Sequence, residues 1–288
     1  MPPAPTARRI KYKILALDID GTLLDLDGVL RPETAEAVAR AARAGIRPVL
    51  CTGRRYRRAL PVAADLGIDA PLVCNSGALV KDPGEHRTLW RADFDPSLAA
   101  LVLDLFQRQG QPAVSFTDRP PDGFDFQVAR YPTGNPWFDE FVTKNLIHAD
   151  VDPSWRDRLV EDQHFHFCAI GDRSTMLAFE AAVQAALSGR VHTFVLKSPN
   201  YSGTICEVIR SDAGKWAAVL HLAELWGVEA AEVCAIGDDM NDLPMIVGAG
   251  LGIAMTHAPQ AVRAVADLVS GDHARGGIAS IIEEALLF

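Results

Sequence analysis

The stretch "ILALDIDGTLLD", residues 14–25, runs through apolar residues into two acids, Asp18 and Asp20, one position apart. The apolar part has the length of a short buried strand, and Gly21 and Thr22 supply a turn after it. Two like charges at the end of a buried strand are either a solvated turn or part of a site. What the rest of the chain brings to the same sheet edge decides between them.

Working outward, "RPETAEAVARAARAG" has helix spacing and closes on Gly45. "IRPVLCTG" is a second short apolar run, "RRYRRALPVAADLG" a second helix and "APLVCNSGALV" a third strand. Strands separated by helices of this length predict right-handed crossovers and an α/β, doubly wound parallel sheet. From about Lys81 the texture changes, with Pro, Gly and Asp clusters at "KDPGEH", "TDRPPDGFD" and "YPTGNPW". There "PSLAALVLDLFQRQG", "NPWFDEFVTKN" and "RSTMLAFEAAVQAALSG" read as helices, and "PAVSFT", "FDFQVA", "FHFCAIG" and "VHTFVLK" as strands. After about Pro199 the first texture returns: "TICEVIR" a strand, "AGKWAAVLHLAELWG" a helix, "EVCAIGD" a strand and "LGIAM" another. "NDLPMIVGAG", "APQAVRAVA" and "GGIASIIEEALLF" read as further helices. The expected division is a core of residues 1–81 and 199–288, split by an inserted domain of residues 82–198.

The chain has 288 residues, 49% hydrophobic and 23% charged, as a globular protein does. A formal charge of −9 argues against a nucleic-acid partner, and it requires a local positive counterweight for any anionic substrate. The longest apolar runs are far short of a membrane span, and no obligatory protein partner is evident. "MPPAPTARRIKYK" lacks the apolar core of a signal peptide and reads as a leader ahead of the first strand. Five cysteines, an odd number without C-x-x-C spacing, fit small core residues in a reducing, cytoplasmic setting better than a disulfide framework.

In an open parallel sheet, ligands bind beyond the carboxyl ends of the strands. Asp18 and Asp20, Thr52 and Gly53, Asn75, and Asp238 all fall at such ends. The groups suit phosphoryl transfer. A carboxylate can attack phosphorus and form an aspartyl-phosphate, dividing a hard hydrolysis into two easier steps. "GDDMND" offers Asp238, Asp239, Asn241 and Asp242, hard oxygen donors suited to Mg²⁺. Lys215, at a helix start, can set its ammonium against a phosphate and the clustered acids, and Thr52 can donate a hydroxyl. Asp18 must be ionised to attack, which requires the metal and Lys215 to hold its pKa down. Asp20 must carry a proton for the leaving oxygen and then act as base toward water.

Blander readings stand beside these. "GDDMND" also fits an acidic helix N-terminus. The run Arg54, Arg55, Arg57 and Arg58 fits a solvated helix face, with Arg54, two residues after Thr52, the member to watch. The glycines of "GAGLG" fit turns. His164, His166 and His192 fit insert strands better than a zinc site, and Trp137, Phe138 and Phe141 fit the core of the insert.

Taken in order, "DIDGT", "TGR", "AGK" and "GDDMNDLPMI" resemble the four motifs of the haloacid dehalogenase (HAD) superfamily of phosphatases. "NSGALV", "GLGIAM", "AVADLVS" and "GGIASIIEE" resemble its Cof-like, type IIB members. The likeness spans residues 12–287, with the insert matched by position and pattern. It implies a Rossmann-like core with an inserted α/β cap domain of type C2B. It implies Asp18 as nucleophile, Asp20 as general acid and base, and Thr52, Gly53, Asn75 and Lys215 about the phosphate. Mg²⁺ would bind Asp18, the backbone carbonyl of Asp20, and Asp238, supported by Asn241 and Asp242. One departure is "AMTHAPQ", where Thr256 and His257 stand in place of the usual Gly-Asn.

The leading expectation is a Mg²⁺-dependent phosphatase acting on a small phosphorylated metabolite such as a sugar phosphate, with the cap choosing the leaving group. A phosphomutase on the same kind of substrate, or a phosphoaspartate receiver-like signalling module, remain open at this point.

Overall fold

The computed structural model describes residues 11–119, 123–197, 200–272 and 276–287. The first ten residues, read as a leader, lie outside the described residues. The chain forms two compact units.

The first unit holds Met1–Ser76, Val80–Arg87 and Lys215–Phe288. It opens with β1 (Ile14–Asp18), buried at every position. α1 (Pro32–Arg43) starts on a proline, whose missing N–H costs nothing in a first turn, and carries Glu33 early and Arg40 and Arg43 late, as the helix dipole favours. Its Thr34, Ala37, Val38 and Ala41 form the buried stripe of an amphipathic helix. β2 (Arg47–Cys51), α2 (Tyr56–Leu66), β3 (Leu72–Cys74) and β4 (Leu79–Lys81) follow. "APLVCNSGALV" is therefore two strands and not one. Asn75 (φ 51°) and Ser76 (φ 55°) are consecutive left-handed residues, and such a turn cannot continue a strand.

The second unit comprises Gly77–Leu79 and Thr88–Gly214. Its elements are β5 (Thr88–Arg91), α3 (Pro96–Arg108), β6 (Val114–Arg119), β7 (Phe124–Val128), α4 (Pro136–Asn145), β8 (Ala149–Val151), β9 (His166–Gly171), α5 (Arg173–Leu187), β10 (Val191–Lys197) and β11 (Thr204–Arg210). A sheet in the order β10-β11-β9-β6-β7-β8 forms its centre. Every pairing is antiparallel except β7 with β8. α3 and α5 start on Asp95 and Asp172, whose carboxylates accept from Leu98 and Thr175 N–H. They bury Val102, Phe106, Phe179 and Val183 with Phe167 and Val208 of the sheet. Phe106 and Phe179 meet edge to face at 4.7 Å.

The expected return to the core at residue 199 is corrected here. β11 pairs with β9 and β10, so "TICEVIR" belongs to the second unit, which runs to Gly214. A strand's local pattern does not name its partner, and only the pairing settles its sheet.

The first unit resumes with α6 (Lys215–Leu225), β12 (Val233–Gly237), α7 (Leu243–Gly248), β13 (Leu251–Ala254), α8 (Gln260–Arg263), β14 (Leu268–Val269) and α9 (Gly277–Ile282), which ends in a π-helical turn. The helix read across "APQAVRAVA" is thus a four-residue one. In the sheet, β14-β13-β12-β1-β2-β3 are neighbours in that order, each pair parallel. Among the described residues, no helix is long and apolar enough to cross a membrane. All five cysteines are buried, and none forms a disulfide.

Candidate active site

From β1 the chain winds one way, to β2 and β3. From β12 it winds the other way, to β13 and β14. The reversal lies between β1 and β12, and a parallel sheet opens a crevice there at its carboxyl edge. Asp18 is the last residue of β1, and Asp238 directly follows β12. Thr52 follows β2, and Asn75 follows β3. Four expected groups therefore reach one edge because four strands stop there.

Lys215 opens α6 and is almost wholly buried. Its Nζ donates to Asp18 Oδ1 at 2.6 Å, Asp242 Oδ1 at 2.6 Å and Asn241 Oδ1 at 3.2 Å, using all three ammonium protons. The second oxygen of Asp242 accepts from the backbone N–H groups of Asp238 and Asp239, each at 3.0 Å. Asp242 thus ties the lysine to the loop that carries Asp238. Gly237 makes room for it, since a Cβ there would lie 2.5 Å from the Cβ of Asp242. In "GDDMND", Asp242 is a buried cross-brace, whereas Met240 is exposed.

Burial raises the Asp18 carboxyl well above the ordinary range, outweighing the lowering by Lys215, and Asp242 and Asp238 push it the same way. Burial likewise raises Asp242. Lys215 is raised too: its burial is outweighed by the attraction of Asp18 and Asp242. The lysine therefore stays charged, but alone it does not hold the Asp18 pKa down; the sequence reading set a metal beside it.

Asp20 sits differently. Arg54 forks onto both its oxygens, with Nε to Oδ2 at 2.8 Å and a terminal nitrogen to Oδ1 at 2.5 Å. Thr52 Oγ1 accepts from Arg54 N–H at 3.0 Å, which turns its own hydroxyl hydrogen elsewhere. Asn75 and Ser76 are buried, and the backbone of Ser76 is held by Thr52 at 3.0 Å. Gly21 (φ 83°) makes the turn after Asp20 in a conformation costly for residues with a Cβ, and a Cβ there would lie 2.5 Å from Asp238 Oδ2. Asp238 also meets Thr22 Oγ1 at 3.3 Å and His257 Nε2 at 3.4 Å.

The site fits a hard divalent cation. Asp18, Asp238 and Asp242 each offer an oxygen within 4.8 Å of the others. Asp18 Oδ2 is a buried acceptor with no hydrogen-bond partner, an oxygen that a cation or an electrophile would satisfy. A second group, His166, Cys168 and Glu207, lies buried on β9 and β11 of the other unit. There burial pushes the His166 imidazole down to about 3 and raises the Cys168 thiol, so both stay neutral. His164 and His192 stand apart from that group, against Ser115 Oγ and the Ala213 carbonyl.

Phe138 and Phe141 are buried within the second unit. Three features escaped the sequence reading: the Arg54 fork, the left-handed Ser76 beside Asn75, and His257 against Asp238. Arg54 had a signal in its place beside Thr52, and His257 had one in its departure from the usual motif.

Comparison with known proteins agrees with this architecture. Pyridoxal phosphate phosphatase YbhA of Escherichia coli is 27% identical over 297 residues, covering 96% of this chain and 99% of that protein. The 5-amino-6-(5-phospho-D-ribitylamino)uracil phosphatase YwtE of Bacillus subtilis is 26% identical, covering 95% and 98%. The structure of BT4131, a HAD subclass IIB sugar phosphatase, superposes with a TM-score of 0.73 at 18% identity, over 95% of this chain and 98% of that one, and so shares the fold. The model of the haloacid dehalogenase-like hydrolases matches residues 15–282, and the chain belongs to that family.

Proposed function

We propose that this HAD-type phosphatase hydrolyses phosphate monoesters of small metabolites through an aspartyl-phosphate on Asp18, with Mg²⁺ as cofactor. The observation that carries the reading is Asp18 itself. It is buried at the switch point, with one oxygen fixed by Lys215 and the other without a partner. The related enzymes named above act on pyridoxal phosphate, a phosphoribityl compound and a sugar phosphate. Each of those is a phosphate on an alcohol carbon, which supports a phosphorylated sugar or similar alcohol as substrate here.

Asp18 Oδ2 attacks phosphorus as the P–O bond to the alcohol breaks, and Asp20 gives its proton to the leaving oxygen. Water then attacks the phosphoryl group and yields its proton to Asp20, and the bond from phosphorus to Asp18 breaks to release phosphate. Lys215 keeps Asp18 aimed throughout, while the Thr52 hydroxyl, Gly53 and Asn75 would receive the phosphate oxygens. Asp18, Asp238 and the backbone carbonyl of Asp20 would hold the Mg²⁺, supported by Asn241 and Asp242, and when bound it supplies positive charge against the phosphate and the buried acids. Arg54 aims the Asp20 carboxyl through contacts to both its oxygens.

Phosphate release from a panel of sugar phosphates, with and without Mg²⁺, tests the proposal. Asp18→Asn is expected to lose on the order of 10³-fold or more in rate. Full activity in that variant would remove Asp18 from the chemistry.

A further inference from the structure

We propose that His257 is a positioning residue for the divalent cation, holding the Asp238 carboxylate in place as a ligand. This rests on the metal reading above.

The topology brings the residue there. β13 lies parallel to β12 with Ala254 opposite Gly237, and Met255 N–H donates to the Gly237 carbonyl at 2.9 Å. The strands therefore end level with each other, and the chain carries His257 to the edge where Asp238 leaves β12. Ala258 N–H donates to the Met255 carbonyl at 3.0 Å, closing a turn with Thr256 and His257 at its tip.

The two neighbours divide the carboxylate between them. His257 Nε2 stands 3.4 Å from Asp238 Oδ2, and Thr22 Oγ1 stands 3.3 Å from Oδ1, so each oxygen of the carboxylate has its own neighbour. A turn of the ring that points Nε2–H at the oxygen makes the contact a hydrogen bond, and a neutral ring with its proton on Nε2 can donate it. Gly21 leaves the room, since a Cβ on it would lie 2.5 Å from Asp238 Oδ2 and 3.3 Å from His257 Nε2. The His257 side chain is 24% exposed, although the residue as a whole, at the tip of its turn, is exposed. Asp18 is fixed by Lys215 and Asp242 by Lys215 and two backbone N–H groups. Asp238 has no such anchor in the cluster, so its aim depends on Thr22 and His257. Partners of this kind set metal affinity, and their removal typically costs about 10–100-fold. His257 occupies the place where the resembling motif carries Asn.

The test is calorimetric titration of the substrate-free full chain with Mg²⁺, comparing the natural protein with His257→Ala and His257→Gln. The alanine variant is expected to bind Mg²⁺ about 10–100-fold more weakly. The glutamine variant, whose amide N–H can reach the same oxygen, is expected to recover most of the loss. Thermal unfolding in chelator, expected to match across the three, separates the metal effect from a folding defect. His257→Leu, which cannot donate a hydrogen bond, serves if the alanine variant does not fold. Equal affinity in the alanine variant overturns the role of His257 while leaving the metal reading intact, and so does a glutamine variant as weak as alanine. Absence of Mg²⁺ binding to the natural protein overturns the metal reading and this inference with it.

Discussion

Replacing Lys215 with Met keeps the length of the side chain and removes its charge. The ammonium lies 2.6 Å from both Asp18 and Asp242, and all three side chains are buried. Its loss strands two carboxylates in the interior, and breaking a buried pair in this way costs about 3–5 kcal/mol. At roughly 2–4 °C per kcal/mol, the melting temperature should fall by about 10 °C. The deficit must also depend on pH. Burial already raises Asp18 and Asp242 above the ordinary aspartate range, and Lys215 is what holds that rise back. Without it both rise further. A carboxyl with a raised folded-state pKa binds its proton more tightly folded than unfolded, so stability falls as pH climbs from the ordinary value through the raised one. The penalty should be small in acid, where both groups are neutral, and complete above the raised values. Urea unfolding followed by circular dichroism in chelator, at about pH 5 and about pH 8, reads it directly. The double variant Lys215→Met with Asp242→Asn, carrying one stranded charge fewer, should recover part of the loss. A deficit independent of pH, or one under about 1 kcal/mol, refutes the reasoning.

Two further outcomes follow from groups around the motif. Arg54→Ala frees Asp20 from a two-point clamp, and the misplaced acid should lower kcat about 10²-fold with a smaller change in KM; an unchanged kcat would mean that the fork is incidental. Asp25→Ala removes an acceptor held by the N–H groups of Asp27 and Val29 and paired with Arg31 at 2.8 Å, and should cost about 1–3 kcal/mol near neutral pH. The backbone bond from Val29 leads the causes that lower the pKa of Asp25, so its contribution is present above the ordinary aspartate range and is lost as pH falls through the lowered value. Denaturation curves of the two proteins should therefore converge in strong acid, and a constant gap would contradict this.

The site groups at the strand ends were legible because each motif is short and contiguous: an apolar run followed by an acid, a hydroxyl or an amide. Asp18, Thr52, Asn75 and Asp238 needed only the inference that their strands share a sheet. What stayed hidden depends on residues far apart in the chain. The pairing of Arg54 with Asp20 spans 34 positions. Lys215 reads as a partner of a phosphate and the clustered acids; that Asp18, Asn241 and Asp242 take all three of its protons is a geometry no spacing reveals. β11 has the composition of a core strand, and only its partners show where it belongs. The break between β3 and β4 had a signal in "NSG", which favours left-handed turns, but the apolar residues on both sides masked it.

The last seam of the chain has a modular consequence. The first unit leaves at Ser76, returns for Val80–Arg87 and resumes at Lys215. A foreign insert would therefore have to be spliced after Arg87, so that β4 stays in its sheet, and before Lys215. The second join has no spacer, because the residue after it is the lysine bound to Asp18 and Asp242. A graft that distorts that join displaces the ammonium before it alters anything else. Inserts that survive such exchange are those that leave Lys215 where it stands.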